Sequence, residues 1–253
     1  MSRAKDGLRS ASAKALRGYD ALLRAKNRGR PRVLVYADSR GMNLLTAKKT
    51  HYIGSYIHAL QRTFDVTYWV LPHSHTTIVD FLNVADLVDL TSFDHVVLHC
   101  GIVDFSPRPI SNIGKVRSGK QGEPRYDALF AQHADYYAHP WDVLYEGEPT
   151  VNLYSPAYLN DQVLPELIRI PNLIWISSNH FVAGWDGNYT RGRPANIDQT
   201  VHRFEAALHK ALPRVVDLSS WSDRQVQEMT IDNLHLSRRG FQTVRAMLDQ
   251  YLV

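Results

Sequence analysis

Several features that define common protein classes are absent from this chain or nearly so. Its 253 residues include one cysteine, Cys100, which excludes an internal disulfide and fits a reducing compartment. No run of 18 or more apolar residues is present, and the first residues lack the apolar stretch of a secretory signal. We therefore expect a cytoplasmic protein without a transmembrane helix.

The usual sequence signs of a metal or nucleotide site are also missing. His73 and His75 have no carboxylate or cysteine beside them at ligand spacing, so no metal site is predicted. No glycine-rich phosphate loop follows a predicted strand, which argues against a nucleotide cofactor of the Rossmann or P-loop kind. We expect no resident cofactor.

The net charge of +4 comes from one end of the chain. Residues 1–32 carry a net charge of +8, and the remaining residues carry −4, so no nucleic-acid partner is expected for the body. Leucines spaced among lysines and arginines predict a basic amphipathic helix in residues 1–31. It either leans on the domain as a solvated helix or attaches to an anionic membrane surface or polyanionic partner, which would make the protein membrane-peripheral. Deletion of residues 1–30 is expected to leave the fold intact.

Residues 32–253 alternate between strand and helix patterns, as one α/β domain does. Continuous apolar runs rich in Val and Ile predict buried parallel strands at Arg32–Ala37, Asp65–Leu71, His95–Cys100, Asn172–Ser177 and Arg214–Leu218. Helical spacing is found at about 51–63, 76–89, 156–170, 195–211 and 237–252. Parallel strands joined by right-handed helical crossovers follow from this alternation.

Two irregular segments interrupt the pattern. The stretch at about 105–154, rich in Pro, Gly and aromatic residues, predicts an insertion over the carboxyl edge of the sheet, partly helical near 126–137. We interpret it as a substrate-binding lid. A second segment, 179–194, leaves the same edge. Their aromatic residues either stack on sugar rings or hold the loops to the domain; they are Trp141, Tyr154, Trp185 and Tyr189.

Three chemically active side chains follow predicted strands or precede the last helix. Ser39 comes directly after the first strand, and Asp232 and His235 stand three residues apart before the last helix. A serine hydroxyl becomes nucleophilic when a neutral imidazole accepts its proton, and the imidazole needs a carboxylate on its other nitrogen. Taken singly, Ser39 and Asp232 could be helix caps and His235 a surface histidine.

Together these segments resemble the SGNH (GDSL-type) hydrolase superfamily. The resemblance rests on Ala37-Asp38-Ser39, on Gly101-Ile102-Val103-Asp104 after the third strand, and on Asp232-Asn233-Leu234-His235, and it covers about residues 32–252. It implies a flavodoxin-like three-layer α/β/α sandwich of about five parallel strands. It also implies esterase, lipase-like or acyl-transfer activity, with Ser39 as nucleophile, His235 as base and Asp232 as the residue that orients it.

The chain departs from the family where the oxyanion of an acyl-transfer intermediate would be bound. The family uses a glycine after the second strand, which is absent here, so the backbone N–H near Ser74 is the expected substitute. Val103 stands where the family has an asparagine and cannot donate a hydrogen bond. Gly101 and Asp104 are kept, which favours a preserved loop shape.

Other donors are predicted from position alone. Asn179 and His180 follow the fourth strand at the same edge, and Arg40 and Asn43 lie beside the nucleophile. Arg108 is held between two prolines, where a fixed guanidinium suits a carboxylate or a phosphate of the substrate. A surface arginine in a proline-rich loop is the alternative.

These observations lead to three functional hypotheses. The first is an enzyme that moves an acyl group, acetyl in the simplest case, on or off a hydroxylated small molecule or glycan-related substrate. The second is a catalytically silent SGNH-like binding module, which the altered oxyanion site favours. The third keeps the triad but transfers the acyl group from a donor such as acetyl-CoA.

Overall fold

The centre of the molecule is a five-stranded parallel sheet. The computed structural model describes residues 18–45, 52–70 and 76–252. Its strands are β1 (Arg32–Ala37), β2 (Asp65–Val70), β3 (His95–His99), β4 (Arg108–Pro109), β5 (Trp141–Tyr145), β6 (Glu148–Val151), β7 (Leu173–Ile176) and β8 (Val215–Val216). The large sheet has the order β2-β1-β3-β7-β8, and every pairing in it is parallel. This order matches the flavodoxin-like arrangement, so the predicted fold class is confirmed.

Helices cover both faces of this sheet. They are α1 (18–26), α2 (Tyr56–Gln61), α3 (Ile78–Ala85), α4 (Ile102–Phe105), α5 (Ser111–Gly119), α6 (Pro124–Gln132), α7 (Ala134–Ala138), α8 (Pro156–Tyr158), α9 (Leu164–Ile168), α10 (Ile197–Ala211), α11 (Asp223–Met229) and α12 (Arg238–Leu248). A π-helical segment, Leu159–Val163, joins α8 to α9. One apolar core lies under α3, α6, α9 and α10, and the other lies under α2, α11 and α12. The result is a three-layer α/β/α sandwich.

The inner strands β1, β3 and β7 are buried on both faces, which explains their continuous apolar sequence. Side chains of β1 alternate between the two cores: Leu34 and Tyr36 enter one, and Val33 and Val35 the other. Each of the five predicted strands is present, although the last contains only Val215–Val216. Helix α11 was not predicted, because only two of its seven residues are buried and its sequence is mostly polar.

The insertion contains more regular structure than its sequence indicated. Besides α5, α6 and α7, it forms a small antiparallel sheet with the order β4-β6-β5. Glu146 and Gly147 connect β5 to β6 and both have positive φ angles, 53° and 82°, as a two-residue hairpin turn of type I′ requires. The β5–β6 hairpin was missed because its Glu-Gly turn is a weaker signal than Asn-Gly or Asp-Gly. The strand β4 was missed because it is only two residues long.

Helix α1 is attached to the domain by polar contacts. Asn27, which follows it, donates hydrogen bonds to the backbone oxygens of Gln61 (2.6 Å) and Phe64 (3.0 Å). The Asp20 carboxylate accepts from the Tyr68 hydroxyl at 2.8 Å and also from Tyr52. The described part of the basic segment therefore leans on the domain. Within the described ranges, no helix combines the length and apolar character needed to cross a bilayer.

Candidate active site

Ser39 is presented by a tight turn at the carboxyl end of β1. Residues Ser39–Gly41 form one turn of 3-10 helix, and the Asp38 carboxylate caps it by accepting the backbone N–H of Arg40 at 2.9 Å. The Asp38 N–H donates to the backbone oxygen of His99 at 3.0 Å, which ties the turn to the end of β3. Ser39 is partly exposed at this edge of the sheet. The turn thus fixes the hydroxyl at the edge where ligands of this architecture bind.

The predicted triad is assembled in three dimensions. The Ser39 Oγ lies 2.9 Å from His235 Nε2, and His235 Nδ1 lies 2.7 Å from Asp232 Oδ2. Because the carboxylate only accepts, the Nδ1 atom carries the hydrogen and Nε2 can accept the proton of Ser39. The contacts required of a serine nucleophile, a base and an orienting acid are therefore all present in the geometry.

The Asp232 carboxylate is held in its charged form. Burial raises its pKa, but this is outweighed by the hydrogen bonds and charge of His235, together with the charge of Arg193, so the pKa lies below its ordinary value. Its Oδ1 atom also accepts the backbone N–H groups of His235 (2.7 Å) and Leu234 (3.2 Å). The carboxylate therefore organises the whole turn that carries the histidine.

Asn233 holds this turn to the segment after β7. Its φ of 68° is left-handed, a conformation that Asn tolerates better than most residues. Its side chain accepts the N–H of Val182 and donates to the oxygens of Val182 (3.0 Å) and Trp185 (2.7 Å). Asn179 donates to the Asn233 oxygen at 3.0 Å. These contacts fix the turn that carries His235.

The next part of the same segment contacts the acid directly. Gly187 has a φ of 53°, and a Cβ there would collide with the backbone oxygen of Ile231, so the close approach requires glycine. Arg193 donates to the backbone oxygen of Asp232, pairs with Asp186 at 2.8 Å and lies 4.2 Å from the Tyr189 ring centre. Sequence reasoning missed Arg193 and Asn233, because no local pattern distinguishes them from loop residues.

The residues predicted for the oxyanion site are distributed differently. Ser74 lies outside the described residues. Gly101 has a φ of 129° and begins α4, and a Cβ there would lie 2.7 Å from the Phe105 ring. Val103 lies in this helix, 9% exposed. The loop shape after β3 therefore does depend on Gly101, whereas the position of Val103 provides no donor.

Asp104 faces the interior rather than the nucleophile. Its Oδ1 accepts the N–H of Ile78, the first residue of α3, and the Tyr154 hydroxyl, both at 3.0 Å. Burial raises its pKa well above the ordinary value, although these two hydrogen bonds act in the opposite direction. Asp104 thus positions the start of α3. Tyr154 is fully buried, so it is unable to stack on a substrate.

Asn179, His180 and Arg40 are engaged elsewhere. The Asn179 amide donates to His180 O (2.7 Å) as well as to the Asn233 oxygen, and the His180 ring lies 2.8 Å from Asp223. Arg40 is buried and forms an ion pair with Asp38. Asn43 has an amide contact to the Ile53 oxygen at 3.3 Å. In this structure these side chains support the site or lie beside it.

Comparison with known proteins finds similarity among solved structures. No family model matches the chain, and no curated protein does. Among solved structures, a lipase/acylhydrolase from Enterococcus faecalis aligns with 87% of this chain and 94% of its own, at 16% identity and a TM-score of 0.48. A lipolytic protein of the G-D-S-L family from Desulfitobacterium hafniense aligns over 87% and 98%, at 12% identity and a TM-score of 0.45.

A third solved structure shares the fold at a TM-score of 0.51. It covers 88% of this chain and 96% of its own, at 15% identity. The five-stranded parallel sheet, its strand order and the flanking helices agree with the flavodoxin-like three-layer fold that the sequence resemblance implied.

Proposed function

We propose that this chain is a serine-dependent acyl hydrolase or acyltransferase that acts on O-esters. The observation that carries the proposal is the continuous contact from Ser39 Oγ through His235 to Asp232, at 2.9 Å and 2.7 Å. The same three residues at these strand ends are those that the family resemblance assigns to the triad. A serine beside an imidazole that is itself held by a carboxylate is the arrangement that makes a hydroxyl nucleophilic.

The proposed reaction proceeds in two stages. His235 Nε2 takes the proton as Ser39 Oγ attacks the ester carbonyl, and the resulting imidazolium is stabilised by Asp232. The protonated His235 then donates that proton to the leaving alcohol, which leaves an acyl group on Ser39. In the second stage, water or an acceptor hydroxyl loses its proton to His235 and attacks the acyl group, which frees Ser39.

The oxyanion formed in each stage needs hydrogen-bond donors. The Ser39 N–H is the first candidate, because it opens the 3-10 turn and makes no hydrogen bond with another described residue. We propose the backbone N–H near Ser74 as the second. One such donor contributes roughly 3–4 kcal/mol to lowering the barrier, so the lack of a donor at Val103 predicts a slower enzyme than one with all three.

The substrate we propose is an acetylated or acetyl-accepting hydroxyl of a sugar or related molecule. Trp141 and Tyr189 remain partly exposed on the insertion and on the 179–194 segment, where an aromatic face can contact a sugar ring. Acetyl-CoA is the acyl donor we propose if the second-stage acceptor is a hydroxyl instead of water. Analysis of the product as free acid or as acylated acceptor separates hydrolysis from transfer.

A catalytically silent binding module is the second candidate function. It is favoured by Val103, which lies 9% exposed where an oxyanion donor would be expected and offers only methyl groups. In that case the Ser39–His235 contact would be retained as a structural or ligand-binding feature without turnover.

A fluorophosphonate probe tests the two candidates. Because it reacts only with activated serines, we expect stoichiometric labelling of the folded protein, lost in Ser39→Ala and in His235→Ala. Ser220→Ala is the matched control, since Ser220 follows β8 at the same edge of the sheet and is exposed. An unlabelled wild-type protein that also fails to hydrolyse aryl acetates would favour the silent module.

A further inference from the structure

Arg108 is a cation that forms no ion pair with any residue the structure describes. Its Nε atom is buried and makes no hydrogen bond, and none of its side-chain nitrogens forms an ion pair with a described residue. Arg108 keeps part of its surface exposed, so the unpaired guanidinium is accessible at one side. Leaving a desolvated charge unpaired is costly, and buried arginines are normally paired with a carboxylate.

The groups around Arg108 do not neutralise it. The charged and titratable groups that influence it are Asp104, Tyr145 and Tyr189. Both oxygens of Asp104 already accept hydrogen bonds from the α3 backbone or Tyr154, and burial raises the pKa of that carboxyl. Burial also lowers the pKa of the Arg108 guanidinium. No carboxylate of the described residues forms an ion pair or a hydrogen bond with the Arg108 guanidinium.

Two neighbouring segments relate Arg108 to the residues of the candidate triad. Together with Thr77 and Val103 it lines a narrow, mainly apolar pocket next to α4, the helix that follows β3. The β3 strand is the neighbour of β1, which carries Ser39. On the other side, Tyr189 interacts electrostatically with Arg108, and the Tyr189 ring lies against Arg193, which donates to the backbone oxygen of Asp232. Arg108 therefore lies on the insertion, beside Val103 of α4.

We propose that Arg108 binds an anionic group, a carboxylate or a phosphate, on the substrate whose ester Ser39 attacks. This inference rests on the proposed function and specifies its substrate class: an acyl ester of an acidic molecule. The planar guanidinium can donate two parallel hydrogen bonds to either oxyanion. Its flanking prolines and the β4 pairing with Val151 fix the backbone from which it projects.

Three aryl acetates that differ in the group para to the acetate test the inference: the neutral methyl 4-acetoxybenzoate and the anionic 4-acetoxybenzoate and 4-acetoxyphenyl phosphate. The measured quantity is kcat/KM for each anionic ester divided by that for the neutral one, corrected for their uncatalysed rates. We expect Arg108→Gln to lower this ratio at least tenfold, mainly through KM, and Arg108→Lys to lower it less. The ester that shows the larger effect identifies carboxylate or phosphate as the preferred group.

Arg117→Gln provides the matched control. Arg117 lies on α5 of the same insertion, is exposed and forms no ion pair with a described residue, so its removal changes the net charge equally. The ratio is expected to stay within twofold of the wild-type value. An equal fall in Arg117→Gln and Arg108→Gln would show a general charge effect and overturn the assignment.

A binding measurement separates this inference from the proposed function. Calorimetric titration of Ser39→Ala with 4-hydroxybenzoate and with inorganic phosphate requires no chemistry. We expect binding that Ser39→Ala/Arg108→Gln loses. If the wild type hydrolyses none of the esters but anions still bind through Arg108, the enzyme proposal fails and the anion site stands. If neither binding nor the ratio depends on Arg108, the anion site is overturned. Arg108→Lys, which keeps the charge, replaces Arg108→Gln in both assays if the latter does not fold.

Discussion

Ser39 and Arg40 are neighbours in the chain, yet their side chains enter opposite environments. The Ser39 hydroxyl faces His235 at the partly exposed edge of the sheet, whereas Arg40 is 2% exposed and forms a two-pronged ion pair with Asp38 at 3.0 and 2.8 Å. Arg40 also donates to the Ser178 hydroxyl at 2.9 Å, beyond the end of β7. The buried ion pair therefore holds the turn that carries Ser39 to the interior of the domain.

Removal of Arg40 is expected to destabilise the protein strongly. Arg40→Ala leaves Asp38 buried without its partner, and breaking a buried pair in this way costs about 3–5 kcal/mol in the free energy of unfolding. Arg224→Ala, which breaks an exposed pair with Glu228, is expected to cost less than about 0.5 kcal/mol. Urea denaturation of both variants checks this. Equal, small losses would mean that the Asp38–Arg40 pair does not anchor the turn.

Asp232→Asn is expected to slow acylation of Ser39 by about 10³–10⁴-fold while the protein stays folded. An amide cannot hold the Nδ1 hydrogen of His235 as the carboxylate does, so the imidazole loses the tautomer that accepts from Ser39. The rate of fluorophosphonate labelling measures the effect. Asp223→Asn is the control, because the Asp223 carboxylate lies 2.8 Å from the ring of a different histidine, His180. A similar slowing in both variants would contradict the specific role of Asp232.

Glu205 is expected to make stability depend on pH. Its Oε1 accepts the Ser178 N–H at 2.9 Å while Oε2 is buried without a partner, and burial raises its pKa from 4.5 to about 7, against the opposing effects of Ser178 and Arg40. Between these two values the folded state holds a proton that the unfolded state releases. Stability contributed by protonated Glu205 is therefore present below about pH 4.5 and lost as the pH rises through 7.

Glu205→Gln removes this dependence. At pH 8 the variant is expected to be more stable than the wild type by on the order of 1–3 kcal/mol, and the difference is expected to vanish near pH 5. Urea denaturation at both pH values measures it. A difference that stays constant between the two would show that Glu205 does not titrate in this range.

The effect of N-terminal truncation on the free energy of unfolding is expected to depend on whether residues 18–30 are kept. Deleting residues 1–17 removes none of the described contacts of Asp20, Leu23 and Asn27, so the free energy of unfolding should stay within about 0.5 kcal/mol of the wild-type value. Deleting residues 1–30 removes a buried leucine and at least four hydrogen bonds, a loss of about 3–5 kcal/mol. Thermal unfolding of the two truncations tests this, and equal stability would restore the expectation of a dispensable segment.

Much of the fold was predictable because buried segments show a recognisable pattern of apolar residues in the sequence. A strand covered on both faces has no polar position, so β1 reads as a continuous apolar run and its bounds, Arg32–Ala37, were predicted without error. The apolar patterns of helix α11 and of the hairpin of β5 and β6 are weaker. Both elements are short and half-exposed, and their stability comes from contacts with distant segments that a local pattern does not contain.

For the site, the sequence by itself determined the candidate triad, because Ser39, Asp232 and His235 occupy fixed places relative to strands and helices. Only the tertiary structure decided how they are held and what surrounds them. Ser39 and His235 are 196 positions apart in the chain and meet because β1 and the turn before α12 end at one edge of the sheet. Asn233 and Arg193 gain their roles from partners on other segments, whereas Arg108 is distinguished by the lack of an ion pair with any described residue. Only the folded chain separates these three from ordinary loop residues.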